Sequence, residues 1–408
     1  MRLGIIGLGV ASTLALPEIA RHPDVQITAG ADPRPAAREA FAARFQARTY
    51  DSAEALCASP EVDAVTILTP NRMHAEHAIL AAEHAKQVIL DKPLALTLED
   101  ADRVIAAVDR NGVRLVVGHS QSMDGTIRYM ADLVGSGQLG RPRTITTLFF
   151  SDWLYRPRSQ DELDPGLGEG IVYRQGPVHA DIVRMLGGGL VRSVRAITSA
   201  SDPRRPIDGG YTALAEFENG AAATMTYSGY GYFDSTELTF GVGLQGYAAD
   251  PDAHRRTWQL FDGFAEGEEA AYKETTRFGG ERHTRPARTA PDGQRRHAFF
   301  GLTLVSCEGG DIRQTPTGLA IYRADGRTEV PLSGGIDYSR RYTTAELDLM
   351  YAAWSRDEPV ASHDGRWAKG TLEVCLAILQ SARERREIML SHQLPYPASR
   401  AAVAGTAT

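Results

Sequence analysis

The chain opens with RLGIIGLGVAS, residues 2–12, in which a short apolar run leads into glycines at positions 7 and 9. Such a run before a glycine-rich turn predicts a buried strand, a tight turn and then a helix. Four more apolar strands alternate with helical segments as far as residue 118. Because strands and helices that alternate build a parallel sheet with helices on both faces, we predict a doubly wound Rossmann domain at residues 1–119.

The pattern changes after residue 119, where extended segments replace the alternation. These segments lie at residues 143–152, 190–200, 211–231 and 236–247. A run of strands of this kind predicts a large, mainly antiparallel open sheet. We assign residues 120–395 to an α+β domain for substrate binding and oligomerisation, and we predict that residues 396–408 form a disordered tail. Residues 251–297 are charged and rich in Gly and Pro, which indicates a long excursion with helical pieces.

The composition excludes several classes of protein. A chain of 408 residues with a net charge of -7 and a pI near 5.9 lacks the basic character of a general nucleic-acid binder. No apolar run approaches the roughly 18 residues of a membrane span, and the N-terminus has no signal-peptide pattern, so we expect a cytoplasmic protein. Cys57, Cys307 and Cys375 show no metal-ligand spacing, which predicts reduced thiols and no metal site.

The turn after the first strand fits the fingerprint of a dinucleotide site. Gly7 permits the tight turn, and Gly9 lets a pyrophosphate approach the backbone. Val10 and Ala11 then open the helix whose amide groups face the phosphates. Ser12 takes the third place of the fingerprint, where a small residue allows close packing of helix and strand.

The end of the second strand carries the signal for the type of cofactor. Asp32 stands 20 residues after Ser12, where an acid accepts the ribose hydroxyls of NAD and repels the 2′-phosphate of NADP. Arg34 and Arg38 follow closely and would soften that repulsion. Alternatively, Asp32 only opens the turn at the next proline. We predict NAD as the cofactor, with NADP as the less favoured choice.

Two further motifs follow the third and fourth strands. They are TPNRMHAEHA, residues 69–78, and LDKPLAL, residues 90–96. Together with the glycine turn they resemble the motifs of the Gfo/Idh/MocA family of nicotinamide-dependent oxidoreductases, with Asp91 where that family has Glu. Within that family the chain is most similar to phthalate 4,5-cis-dihydrodiol dehydrogenases. The stretches that carry this second likeness are 117–124, 152–163, 227–235, 306–322 and 363–377.

The resemblance implies roles for residues of both motifs. Lys92 would lie beside the nicotinamide and the substrate carbinol, where an ammonium stabilises an oxygen anion and a neutral amine accepts a proton. The Lys92–Pro93 bond is expected to be cis. Asn71 and His74 would hold the loop near the cofactor, although a structural histidine at a helix start explains His74 equally well. The predicted cofactor residues of the two motifs are Thr69, Pro70, Asn71, His74, Asp91, Lys92 and Pro93.

Candidate substrate-binding residues lie in the second half. Arg156 and Arg158 could bind carboxylates, since a guanidinium forms a fork that matches a carboxylate; a solvated basic loop is the alternative. Other residues are expected to face the same cleft, or to flank the histidine discussed next. They are His119, Ser122, Asp124, Tyr173, Arg174 and Gln175. Three tyrosines could line the cleft or serve packing, namely Tyr227, Tyr230 and Tyr232.

One histidine stands out of register with the family pattern. The resembling family places a catalytic histidine after Gln-Gly-Pro and three residues before an aspartate. Here Val178 occupies that place and His179 follows it, while Arg174 stands where the family has Asp or Asn. A shift of one residue turns a side chain by about 100° around a helix. Either an irregular first turn brings His179 to the site as a second catalytic residue, or proton transfer falls to Lys92, a tyrosine or water.

The resemblance implies an NAD-dependent enzyme that oxidises a cis-dihydrodiol of a phthalate-like aromatic carboxylate to the catechol. A dehydrogenase of a sugar, cyclitol or glycoside is the first alternative, and a non-catalytic NAD-binding sensor is the second. Expected partners are a small-molecule substrate and a second copy or more of the chain, as a homodimer or homotetramer. Neither a nucleic acid nor a membrane is expected as a partner.

Overall fold

The structure is a computed structural model that describes residues 1–118, 120–283, 295–332 and 342–397. The first part alternates strands and helices. Its strands are β1 Arg2–Ile6, β2 Gln26–Ala31, β3 Arg48–Tyr50, β4 Ala64–Ile67, β5 Gln87–Asp91 and β6 Leu115–Gly118. Its helices are α1 Val10–Ile19, α2 Pro35–Phe45, α3 Ala53–Cys57, α4 His74–Glu83 and α5 Leu98–Asn111.

Within the described residues these strands form one six-stranded sheet in the order β3-β2-β1-β4-β5-β6, and every pair is parallel. The predicted Rossmann-type sheet is therefore confirmed. Strand β3 was not predicted, because its three residues are partly exposed and lack an apolar pattern. The chain order reverses between β1 and β4, where dinucleotides bind in open sheets of this type.

The second part builds a nine-stranded sheet from the described residues. Its strands are β7 Pro142–Phe150, β8 Val191–Ser199, β9 Gly210–Phe217, β10 Ala222–Ser228, β11 Leu302–Cys307, β12 Gly310–Thr315, β13 Gly318–Arg323, β14 Gly326–Pro331 and β15 Ile388–Met389. The order is β14-β13-β12-β11-β7-β10-β9-β8-β15. Only the central pair β7 and β10 is parallel among these strands, so the predicted mainly antiparallel sheet is confirmed.

The helices of the second part are α6 Gly125–Gly135, α7 Ile171–Arg174, α8 Gly176–Gly187, α9 Ala253–Asp262, α10 Glu268–Thr275, α11 Tyr342–Arg356 and α12 Gly365–Glu384. All residues of α8 are buried. Asp181 fixes α8 to α12, since its carboxylate accepts hydrogen bonds from Trp367 Nε1 at 2.6 Å and Thr371 Oγ1 at 2.9 Å and lies 3.0 Å from His363 Nε2. Of the helices described, none has the length and apolar character of a membrane span.

Two helices from the end of the chain return to the first sheet. Ala345, Leu347 and Met350 of α11 share an apolar cluster with residues of β1 and α1. Ala368 and Leu372 of α12 share another with α4, α5 and β6. The two sheets are thus joined through α11 and α12 as well as through the direct connection.

The predicted domain boundaries at 119 and 395 stay predictions. At the second boundary the backbone N–H of Tyr396 donates to Gly188 O at 3.0 Å, and its ring packs against Trp367. His119 and residues 398–408 lie outside the described residues. The segment 236–247, expected to be extended, instead forms a short 3-10 helix, Ser235–Leu238, and turns.

Candidate active site

The glycine turn after β1 has the form that a dinucleotide requires. Gly7 has a φ of +92°, and a Cβ there would lie 2.9 Å from Thr69 Cγ2 and 3.0 Å from the Leu68 carbonyl, so only glycine fits. No described atom lies within 4 Å of a Cβ built at Gly9, directly before α1. Ser12 is accommodated in the packing because its hydroxyl donates to Gly9 O at 2.6 Å. The open space at Gly9 fits a pyrophosphate at the first amides of α1, at Val10 and the next residue.

Asp32 lies beside this turn, as the sequence predicts, and is 7% exposed. Its Oδ2 accepts the Leu8 N–H at 2.9 Å, and its Oδ1 accepts the Arg34 N–H at 2.9 Å and Nε–H at 3.0 Å. Arg34 also donates to Leu8 O at 2.6 Å. Arg38 donates instead to the carbonyls of Asp32 and Pro33. Arg34 is therefore the arginine that shares the Asp32 carboxylate.

His74 joins the two sequence motifs. Its Nδ1 lies 2.7 Å from Pro93 O, its Nε2 lies 2.9 Å from Thr69 O, and the ring is fully buried. Burial lowers the pKa of His74, so the ring is neutral near pH 7 and donates to one of the two carbonyls. Asn71 extends the connection to the second domain by donating to Gly168 O at 3.0 Å. In this structure His74 is a bridge between loops and does not reach the surface.

Lys92 follows β5, and the Lys92–Pro93 bond is cis, as the resemblance implies. Its Nζ donates to Arg174 O at 2.8 Å, and its backbone N–H donates to Asp91 Oδ1 at 2.9 Å. Burial lowers the pKa of Lys92, with Asp91 acting in the opposite direction. The side chain remains partly accessible. An amine with a lowered pKa at the end of a strand is suited to accept a proton.

A network of buried charges adjoins Lys92. Arg174 lies 3.1 Å from Glu162 Oε1 through Nη2 and 3.4 Å from Glu169 Oε2 through Nε. Lys273 of α10 contacts Glu162 Oε2 at 3.4 Å. Burial opposes ionisation of Glu162, but Lys273, Arg158 and Arg174 hold its pKa at about 2. Burial lowers the pKa of Lys273 to about 8.

The two arginines of the predicted anion site differ in their surroundings. Arg156 is 45% exposed and donates to Asp152 Oδ1 at 2.6 and 2.8 Å. Arg158 is 6% exposed, stacks on the Trp153 ring at 4.0 Å and donates to Trp153 O at 2.5 Å. Its Nε has no hydrogen-bond partner among the described residues. Arg158 therefore keeps unused donor capacity beside the charge network, which a solvated basic loop would not show.

His179 is the fourth residue of α8, which starts at Gly176. Its ring is fully buried and edge-on to Tyr211, Tyr227 and Phe300. Nδ1 lies 2.9 Å from Tyr211 OH, while Nε2 has no hydrogen-bond partner among the described residues. Burial lowers the pKa of His179 to about 3. Val178 is buried too, so the structure places His179 in an aromatic enclosure without solvent access.

The remaining candidates lie next to Arg174 and before α6. Tyr173 and Gln175 are half-buried beside Arg174. Ser122 is fully buried, and Asp124 caps α6 by accepting the Thr126 N–H.

The three tyrosines take different positions. The hydroxyl of Tyr227 lies 3.0 Å from Ser151 Oγ, and that of Tyr230 donates to Ser199 O at 3.0 Å, so both serve packing of the second sheet. Tyr232 is 82% exposed. Among the described residues no cluster of His, Cys, Asp or Glu could hold a metal ion.

Several site residues were missed by sequence reasoning. Glu162, Glu169 and Lys273 belong to the charge network, and Glu346 of α11 lies at the end of β6. Only Glu162 had a local signal, the capping box that it forms with Ser159. The others are distant in sequence from every motif, so only the folded chain brings them together.

Comparisons with known proteins agree with this geometry. Residues 1–119 match the "Oxidoreductase family, NAD-binding Rossmann fold", and residues 127–242 match the "GFO/IDH/MocA C-terminal domain". The chain is 36% identical over 388 residues to a 1-carboxy-3-chloro-3,4-dihydroxycyclohexa-1,5-diene dehydrogenase of Comamonas testosteroni, with 94% of this chain and 95% of the relative covered.

Solved structures show the same likeness. A protein from Bordetella bronchiseptica RB50 assigned as a dehydrogenase has a TM-score of 0.87 and 36% identity, over 96% of this chain and 100% of that one. An Agrobacterium radiobacter oxidoreductase in complex with NAD+, L-tartaric acid and magnesium shares the fold, with a TM-score of 0.67 and 20% identity over 95% and 98% of the two chains. Its motifs, its two sheets and these likenesses show that the chain belongs to the Gfo/Idh/MocA family of NAD-binding oxidoreductases.

Proposed function

We propose that the protein oxidises a cis-dihydrodiol of an aromatic carboxylate to the catechol, with NAD as the oxidant. The observation that carries the proposal is the position of Lys92, whose amine is held by Arg174 O at the end of β5 and has a lowered pKa. The Comamonas testosteroni relative supports the substrate class, because its name specifies a carboxylated dihydroxycyclohexadiene.

The residues divide the work between binding and proton transfer. The turn from Gly7 to Val10 holds the pyrophosphate, and Asp32 accepts the ribose hydroxyls. Bound NAD supplies the hydride acceptor. Lys92 accepts the proton of the reacting hydroxyl, and the bridge made by His74 keeps its loop in place.

Positively charged side chains of the second domain would bind a substrate carboxylate. Arg158, Arg174 and Lys273 carry three positive charges, against the two negative charges of Glu162 and Glu169 in the same network. The excess of one positive charge in this network favours one bound carboxylate.

His179 has a different place in this proposal. Its catalytic role stays a prediction, and a ring without exposure and with a pKa of about 3 is poorly placed to exchange a proton near neutrality. In this proposal His179 packs against Tyr211 and Tyr227 and has a structural role, and Lys92 transfers the proton.

The test is NADH formation at 340 nm, approximately the absorbance maximum of the reduced nicotinamide, with three substrates. These are a carboxylated cis-dihydrodiol, the same diol without the carboxylate, and myo-inositol. The proposal expects the carboxylated diol to have the highest kcat/KM, and Arg158→Gln, which removes the excess positive charge of the network, to reduce only that preference. Arg204→Gln is the matched control, because Arg204 is 52% exposed and already paired with Asp202. Preference for myo-inositol would support the cyclitol alternative, and no turnover would support the sensor.

Assembly and location belong to the same proposal. Ile197, Leu214 and Met389 expose 67%, 50% and 59% of their surface on neighbouring strands β8, β9 and β15, which supports a homodimer or homotetramer formed through this face. The three cysteines are free and buried, which agrees with a reducing, cytoplasmic setting. Light scattering of the purified protein tests the assembly.

A further inference from the structure

We propose that Glu169 and Glu346 are positioning residues for Lys92, and that together they stabilise the ammonium formed when its amine takes the hydroxyl proton of the substrate. In that step the substrate O–H bond breaks and its proton forms a new N–H bond on Lys92, while the carbinol C–H bond breaks and the C=O bond forms; bound NAD would accept the hydride that leaves. The inference rests on the proton-accepting role of Lys92 in the proposed function. It adds two carboxylates from distant parts of the chain that no motif contains.

Glu169 reaches Lys92 through Arg174. The Lys92 amine donates to Arg174 O at 2.8 Å, and the guanidinium of the same arginine contacts Glu169 Oε2 at 3.4 Å. Glu169 is 7% exposed, and the preceding residue, Gly168, accepts the side-chain amide of Asn71 at 3.0 Å. Arg174 therefore holds the carboxylate, and Asn71 holds the neighbouring backbone against the motif loops of the first domain.

Glu346 approaches from α11. A Cβ built at Gly118 would lie 2.3 Å from Glu346 Oε1 and 2.6 Å from Oε2, so the carboxylate occupies the space that a side chain at position 118 would take. Gly118 pairs with Asp91 across the parallel strands β5 and β6. Glu346 therefore lies at the strand end next to the one that presents Lys92, and any larger residue at 118 would displace it.

The charges around Lys92 explain why two carboxylates are needed. Burial and the positive charge of Arg174 oppose the ammonium form, whereas Asp91, Glu169 and Glu346 favour it. His74 of α4 and Cys375 of α12 also face Lys92, but burial lowers the pKa of His74 and raises that of Cys375, so both are neutral near pH 7. Without the two glutamates, Asp91 alone would balance Arg174 and burial.

The experiment measures the protonation of Lys92 without substrate. Acetic anhydride acylates only the neutral amine, and peptide mass spectrometry reads the acylation of Lys92 as a function of pH. We expect the midpoint to fall by about one pH unit in Glu169→Gln and in Glu346→Gln, the low end for loss of a nearby opposite charge. Asp348→Asn is the matched control, since Asp348 lies on the same helix and pairs with His22; it should leave the midpoint unchanged.

The same variants give a second readout in turnover. Because more of the amine is neutral at low pH, the acidic limb of kcat/KM should move down by the same amount, and kcat should fall more than KM changes. Unchanged midpoints in both folded variants overturn the proposal, and a shift in only one overturns the paired arrangement. If wild-type protein fails to oxidise the carboxylated diol, the proposed substrate is wrong, while the acylation result still decides the role of the two glutamates.

Discussion

The substitution His179→Phe distinguishes a catalytic role of the histidine from a structural one. It keeps an aromatic ring against Tyr211, Tyr227 and Phe300 and removes the two ring nitrogens. In the folded protein burial lowers the pKa of His179 to about 3, whereas an unfolded histidine titrates near about 6.5. Between these two pKa values the unfolded chain binds a proton that the folded chain excludes. The stability that comes from keeping His179 neutral is therefore fully present above about pH 6.5 and is lost as the pH falls toward 3.

The size of this effect follows from the same two pKa values. Because one proton is bound on unfolding, the free energy of unfolding changes by about 1.4 kcal/mol per pH unit. At pH 5 the histidine therefore lowers the free energy of unfolding by about 2 kcal/mol. Between pH 7 and pH 5, the free energy of unfolding of the wild type should therefore fall by about 2 kcal/mol more than that of His179→Phe. The unpaired Tyr211 hydroxyl costs the variant about 1–3 kcal/mol at both pH values and cancels in this difference.

Urea unfolding at the two pH values measures the stability difference, with His392→Phe as the control because His392 is exposed. In kinetics, His179→Phe should keep kcat within a factor of about three and leave the pH profile unchanged near neutrality, since a lost acid–base group would cost about 10²-fold or more. A fall of that size with normal unfolding, together with loss of a limb near neutral pH, would refute the reasoning and restore His179 as a catalytic residue.

Four further substitutions test the cofactor side and the proton acceptor. Lys92→Met should abolish most turnover and leave NAD affinity, measured by fluorescence titration, near that of wild type; normal turnover would exclude Lys92 as the proton acceptor. Gly9→Val should weaken NAD binding at least about tenfold with an unchanged melting temperature, since its side chain enters open space, whereas Gly7→Val should also lower the melting temperature because of the φ of +92° and the Leu68 carbonyl. Asp32→Asn should improve NADP affinity relative to NAD by about tenfold or more, because it removes the charge that repels a 2′-phosphate; an unchanged ratio would assign the preference to Arg34.

The fold could be predicted because its signals are local. The glycine turn, the apolar strands and their alternation with helices specify the parallel sheet, and the later run of strands specifies the second sheet. Strand β3 could not be predicted, because its three partly exposed residues show no apolar pattern. The segment 236–247 alternates like a strand, but of its residues only Val242 forms a bridge, to Ala248, so its apolar residues pack in turns.

The site was predictable as far as the motifs extend. Lys92 and Asp32 stand at strand ends, where the fold gathers functional residues. Glu169 and Glu346 could not be found, because their relation to Lys92 depends on long-range packing of α7 and α11. Sequence spacing placed His179 at the right helix, but its burial depends on β9 and β10, which supply Tyr211 and Tyr227.

The return of α11 and α12 to the first sheet has a consequence for how the chain acquires its structure during synthesis. Strands β1 and β6 emerge from the ribosome early, but the apolar surfaces that receive Met350 and Leu372 must wait until more than 200 further residues, from 120 to 342 and beyond, have been made. N-terminal domains generally fold first during translation. Here the first domain must hold a partly open surface through that interval, so a ribosome-stalled chain that ends before α11 should be cut by protease in the first domain, and one that includes α12 should resist.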